Sequence, residues 1–198
     1  MKIVFIDRMI EDIACEAVLI DDEAGAYKGV NYLIQQGYRR IAFINGPRGI
    51  LTAEERLKGY RRALHELGIS ADERFIRSGT WKKESGEQLA DEMLRGSVVP
   101  DVIFTANVEL ALGVLLIARK LKIRIPEEIG LMAFSDYEWT TIIDPPLTVV
   151  DFPISEIGEK GIELLLNKIE NPSKGNKKKV IKVETEIKVR GSTRSVHH

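Results

Sequence analysis

Six residues of this chain have types suited to holding a small polar molecule: Arg56, Trp81, Asn107, Ser135, Asp136 and Tyr137. A guanidinium, a carboxamide and a carboxylate each offer paired donors or acceptors to neighbouring hydroxyls. An indole face covers the apolar C–H side of a sugar ring. The chemistry these residues suggest is recognition of a polyhydroxyl ligand, not bond making. Each also has a plainer reading: Arg56 as a solvated arginine, Asn107 as a helix N-cap, Trp81 as a cover for the core, Asp136 as the holder of a turn. Their collective placement carries the argument. Each follows a stretch that reads as a strand, as do Asn45 and Trp139, and in a parallel sheet the carboxyl ends of the strands share one edge, where open α/β sheets bind ligands.

Motifs for other chemistry are missing. The chain has no GxGxxG after a strand and no GxxxxGK[ST] for nucleotide phosphates. It has no GxSxG, no HExxH and no Cys/His spacing for a metal. His65 lies beside Glu66 in a helical stretch and reads as exposed. No nucleophile–base pair presents itself, so no enzyme is expected, and no cofactor or metal.

The elements that must position these residues centre on residues 40–60, RIAFINGPRGILTAEERLKGY. Ile41 to Ile44 form the apolar run of a strand covered on both faces. Asn45, Gly46 and Pro47 break it. Thr52 and Glu55 have the spacing of a capping box. Leu57, Tyr60, Leu64 and Leu67 then share one helical face, closed by Gly68. Arg56, near the start of this helix, opposes its dipole. It therefore reads as facing the rim and not serving the fold, so Arg56→Ala is expected to remove ligand binding while the fold survives.

Strands are expected at 3–6, 17–20, 38–44, 75–78, 101–105, 129–134 and 147–150, with one strand-like stretch at 180–189. Helices are expected from Asp21 or Asp22 to Gly37, then at 83–95, from the Asn107 cap to about 122, and at 155–169. This alternation implies an α/β fold with mainly parallel sheets flanked by helices. The lysine-rich run at 174–179 reads as a solvated loop.

Composition narrows the classes. The 198 residues carry a net charge of −1, with 44% hydrophobic and 30% charged residues. That is ordinary for a globular chain and argues against binding nucleic acid through overall charge. One cysteine, Cys15, cannot form an internal disulfide and suits a reducing, cytoplasmic compartment. Its acidic neighbours Glu11, Asp12 and Glu16 make it a poor nucleophile. No stretch is long and apolar enough to span a membrane, and no secretory signal opens the chain.

The stretches VLIDDEAGAYKGVNYLIQQGYRRIAFINGP, ERLKGYRRAL, TANVELALGVL, IPEEIGLMAFSDYE, DPPLTVV and KVRGSTR together resemble the effector-binding core of LacI/GalR-family transcriptional repressors. That core is similar in fold to type I periplasmic sugar-binding proteins. The resemblance implies two lobes with an effector between them. Residues 1–37 and 147–172 would form a partial first lobe, 38–143 and 175–192 the second, and 193–198 a tail ending in a tag remnant. It implies ligand roles for Arg56, Trp81 and Asn107, a homodimer, and operator DNA contact only through a helix-turn-helix headpiece not present in this chain. The first lobe is then incomplete, and the chain is expected to be a fragment. Two positions depart from the family pattern: Val108, where an acid is usual, and Ser135, where an Asp usually holds sugar hydroxyls. Asp136 or Tyr137 could compensate. The alternatives are a transport-type sugar-binding protein and an interaction module with a vestigial cleft.

Overall fold

A computed structural model describes residues 2–10, 13, 15–171 and 179–195. Two sheets organise the chain. The larger has six strands in the order β4-β3-β5-β6-β7-β9: β3 (Ile41–Asn45), β4 (Ile76–Ser78), β5 (Val102–Thr105), β6 (Gly130–Phe134), β7 (Thr148–Asp151) and β9 (Glu186–Lys188). All its pairings are parallel except β7 with β9. The smaller sheet is β1-β2-β8, wholly parallel, from β1 (Val4–Ile6), β2 (Glu16–Ile20) and β8 (Val180–Val183).

Every residue of β3, β5 and β6 is buried. Their continuous apolar runs need cover on both faces, and two helix pairs supply it. α1 (Asp22–Gln35) packs on α2 (Leu51–Glu66), and α3 (Lys83–Leu94) on α4 (Val108–Leu121). One face carries a row of rings. Tyr60 stacks on Phe43 at 5.1 Å, Phe43 meets Phe104 at 5.4 Å, and Phe104 stacks on Phe134 at 5.4 Å. The α3–α4 crossing is tight: a Cβ at Gly113 would stand 2.4 Å from the Lys83 carbonyl oxygen, so the helices meet backbone to backbone. α5 (Trp139–Ile142) is a short turn that the sequence pattern did not show. α6 (Ile154–Glu170) covers the small sheet, joining Ile157 and Leu164 to Val18, Ile20 and Val183.

The helix formed by residues 51–66 starts differently from the expected capping box. Its N-cap is Ile50, with no side-chain cap, and Thr52 already lies within the first turn. Instead, the Glu54 carboxylate accepts the Gly49 N–H at 3.0 Å. The expected closure at Gly68 holds, with φ +68° at that residue.

The division into lobes also differs from the expected one. β7 joins the six-stranded sheet through β6 and β9, because Leu147, Val149 and Val150 are fully buried there. α1 packs on the same body, while β8 pairs with β2. The single strand expected at 180–189 is two strands in different sheets, broken at 184–185. Residues 2–10, 15–20, 154–170 and 180–183 thus make the small body, and 22–151 with 186–195 the large one. Among the described residues the chain crosses between them three times: at Asp21, at Phe152–Pro153 and at Glu184–Thr185. Residues 193–195 are no loose tail. The Thr193 hydroxyl bonds those of Tyr32 (2.8 Å) and Thr148 (2.9 Å), and the Arg194 N–H donates to the Tyr38 hydroxyl at 2.8 Å. Most of the lysine-rich run and the last three residues lie outside the described residues. Among the described residues, no helix is long and apolar enough to cross a membrane.

Candidate functional site

The carboxyl ends of both sheets face a common cleft of about 420 Å³. The order of the large sheet reverses between β3 and β5, and the crevice outside such a reversal is where doubly wound sheets take ligands. The large body contributes Thr52, Arg56, Trp81, Asn107, Ser135 and Tyr137. The small body contributes Ile6, Asp7 and Arg8 after β1, and Ile157 and Gly158 from α6, with Phe152 and Ile154 at the crossing.

Arg56 is the most constrained of these side chains, only 5% exposed. Its Nε donates to Asp22 Oδ1 at 2.7 Å and its Nη1 to the Ala106 carbonyl. Its guanidinium lies 4.0 Å from the centroid of Phe134, at the end of the aromatic row. Nη2 has no hydrogen-bond partner among the described residues. Burial pushes the Asp22 carboxyl above its ordinary value, against the pull of the guanidinium beside it. The expectation that Arg56 does not serve the fold is therefore wrong: a cation that neutralises a buried acid at the β2–α1 crossing is part of the core.

Asn107 is the N-cap expected for it, and it also lies in the cleft wall. Its Oδ1 accepts the Leu110 N–H at 2.8 Å, capping α4, and its Nδ2 donates to the Trp81 carbonyl at 2.9 Å while lining the cleft. Trp81 lines the cleft from the β4–α3 connection and rests against Gly46. Ser135 follows β6 with φ +74°, a left-handed conformation costly for a residue with a Cβ, held by its N–H bond to the Val150 carbonyl at 2.9 Å. Tyr137 lines the cleft with half its surface exposed.

Asp136 is a correction. It does not line the cleft. Arg190 binds it in a two-point clamp (2.8 and 2.6 Å), Thr140 donates to it at 2.5 Å, and Lys188 lies 3.3 Å away. The Arg190 guanidinium holds this carboxyl down at about 2. It ties the turn after β6 to the strap following β9, and it does not stand in for an acid at Ser135. Asn45, also placed on the rim by its position after β3, is buried and donates to the Ala53 carbonyl at 2.9 Å. Val108 is buried in the core and outside the cleft lining.

The wall from the small body went unseen in the sequence. Asp7 and Arg8 follow a strand, the rule that found the other rim residues, yet neither is among the residues expected there. Asp7 also sits at φ +65°, its N–H bonded to the Val18 carbonyl at 2.9 Å. It and Arg8 pair loosely at 3.6 Å, both more than half exposed. Phe152, Ile154 and Ile157 gave no signal, because only the crossing after β7 brings them to the cleft. Among the described residues, no group of acids, histidines and cysteines could hold a metal.

The arrangement is a cleft rich in donors, with aromatic walls. Comparison with known proteins accords with it. A family model described as a periplasmic binding protein-like domain matches residues 30–193. The HTH-type transcriptional repressor CytR of Escherichia coli K12 is 31% identical over 193 residues, covering 98% of this chain and 56% of that repressor. The repressor PurR of Vibrio atlanticus is 30% identical, covering 98% and 58%. The solved complex of the transcriptional regulator CelR with cellobiose superposes with a TM-score of 0.87 at 30% identity, covering 96% of this chain and 58% of that one. The chain spans little more than half the length of the curated relatives it matches. A match over most of its length, on this fold and with these relatives, shows that the chain belongs to the periplasmic binding protein-like domain family in the form found in LacI-type transcriptional repressors.

Proposed function

We propose that this chain is the effector-sensing part of a LacI-type transcriptional regulator and that its ligand is a sugar or a related small polar molecule. One observation carries the reading. The cleft lies between two bodies joined by three crossings, with Arg56, Asn107, Ser135 and Asp7 supplying hydrogen bonds and Trp81, Tyr137 and Phe152 supplying flat faces. A ligand touching both walls binds the closed arrangement better than the open one, and so shifts the balance between them. Operator DNA would sense that shift through an attached DNA-binding part, in a cytoplasmic homodimer. The relatives named above are repressors, which favours this over a transport-type binding protein. The buried position of Val108 removes one of the two reasons for reading the cleft as vestigial.

The test is a thermal melt against cellobiose, ribose, sugar phosphates and purines. A ligand at 100 times its dissociation constant adds about 2.7 kcal/mol of stability. A shift with one chemical class, lost in Asp7→Asn and Ser135→Ala, supports the assignment. If no class shifts the melt, in this chain or in one extended toward the length of its relatives, the sensing role fails.

A further inference from the structure

Trp81 offers the cleft its largest flat face, and the structure shows what holds that face in place. Its ring has a shelf beneath it. A Cβ built on Gly46 would lie 2.3 Å from two atoms of the six-membered ring and 2.6 Å from a third. Such separations do not occur between real atoms, so the indole lies directly against the bare backbone of residue 46. Its main chain has an anchor as well, the Asn107 Nδ2 bond to the Trp81 carbonyl. Gly46 does not need left-handed backbone, in contrast to Gly37, Gly49 and Gly68. Its lack of a side chain therefore serves the indole, not a turn.

We propose that Gly46 is a positioning residue for the ligand site: it is the shelf that fixes the indole of Trp81 as a wall of the cleft. The ligand role of that wall rests on the function proposed above; the steric relation does not. The atoms that would collide lie at the far end of the tryptophan side chain, which swings on two single bonds. An added methyl group therefore turns the indole away and leaves the strand and helix where they are. The site changes shape and the fold persists.

The experiment uses the full chain carrying Trp139→Phe, so that Trp81 is the one remaining indole. Gly46→Ala should red-shift the Trp81 emission and steepen its quenching by acrylamide, while the melting temperature moves by less than about 3 °C. Melts of Gly46→Ala, Trp81→Ala and the double variant close a cycle. If the methyl group acts through the indole, adding Gly46→Ala to Trp81→Ala costs nothing further. Should Gly46→Ala alone fail to fold, a folded double variant still supports the shelf. Unchanged emission and quenching overturn it, and so does a Gly46→Ala penalty that persists without the indole. These arms need no ligand, so a silent sugar panel defeats the proposed function and leaves this inference to its own result. With a ligand in hand, Gly46→Ala should weaken binding roughly tenfold, and should add nothing in the Trp81→Ala background.

Discussion

At the scale of single residues, the Arg56–Asp22 pair ties the site to the fold. Both side chains are buried, at 6% and 7% exposure, so removing one strands the other without water. Arg56→Ala is expected to cost about 3–5 kcal/mol by urea denaturation, and the double replacement Arg56→Met with Asp22→Leu should restore most of that. A single variant as stable as the parent would refute this. Asp136 makes a different prediction. Its carboxyl titrates near 2 in the folded protein against an ordinary 3.8, so its clamp stabilises the fold above pH 4 and is lost as pH falls toward 2. The difference is worth about 2 kcal/mol at one pH unit per 1.36 kcal/mol. Asp136→Asn should therefore be less stable than the parent by that order at pH 7, with the gap narrowing through pH 4 to 2. A gap independent of pH would mean that packing, not charge, sets it.

At the scale of elements, residues at helix starts serve the fold and the cleft together, and Asn107 lets the two be separated. Asn107→Asp keeps an oxygen to cap α4 but loses the donor to the Trp81 carbonyl. Its melting temperature should stay near that of the parent while the Trp81 emission shifts. Asn107→Ala should lose about 1 kcal/mol more, the value of a cap. Equal losses in both variants would show that the Trp81 bond, not the cap, stabilises the element. The long helices and most strands were legible because their signals are local: apolar runs for β3 and β6, the Asn107 cap for α4, Gly68 after α2. The start of α2 misled because Thr-x-x-Glu is a pattern of spacing. Whether the Thr takes the cap depends on the backbone entering the helix, and here Ile50 occupies that position.

At the scale of the whole molecule, the small body leaves an apolar face uncovered. Ile162, Leu166 and Ile169 of α6 lie on one exposed stripe, and Ile6 is exposed on β1, the strand at the edge of its sheet. Such surfaces promote association. Light scattering should show oligomers growing with concentration, reduced by Ile162→Lys with Leu166→Glu. Monomers at every concentration would contradict this. The bridge from Lys182 on β8 to Glu55 on α2, at 3.4 Å, joins the two bodies near the cleft, but an exposed pair of this kind adds less than about 1 kcal/mol. The relative placement of the bodies rests on the crossings and not on that bridge.

The sequence by itself determined the alternating elements, the parallel sheets, the absence of catalytic motifs and five of the six rim positions, since strand ends and helix caps are written in neighbouring residues. Only the tertiary structure decided which sheet each late strand joins, because β7 and β8 are both four-residue strands with two valines each and what separates them is the partner each finds. It alone showed that Asp136 turns from the cleft to Arg190, that Arg56 is buried against Asp22, and that Asp7 and Arg8 complete the far wall. Those outcomes depend on residues 34 to 54 positions apart, or on opposite sheets, meeting in space, and no local spacing records such meetings.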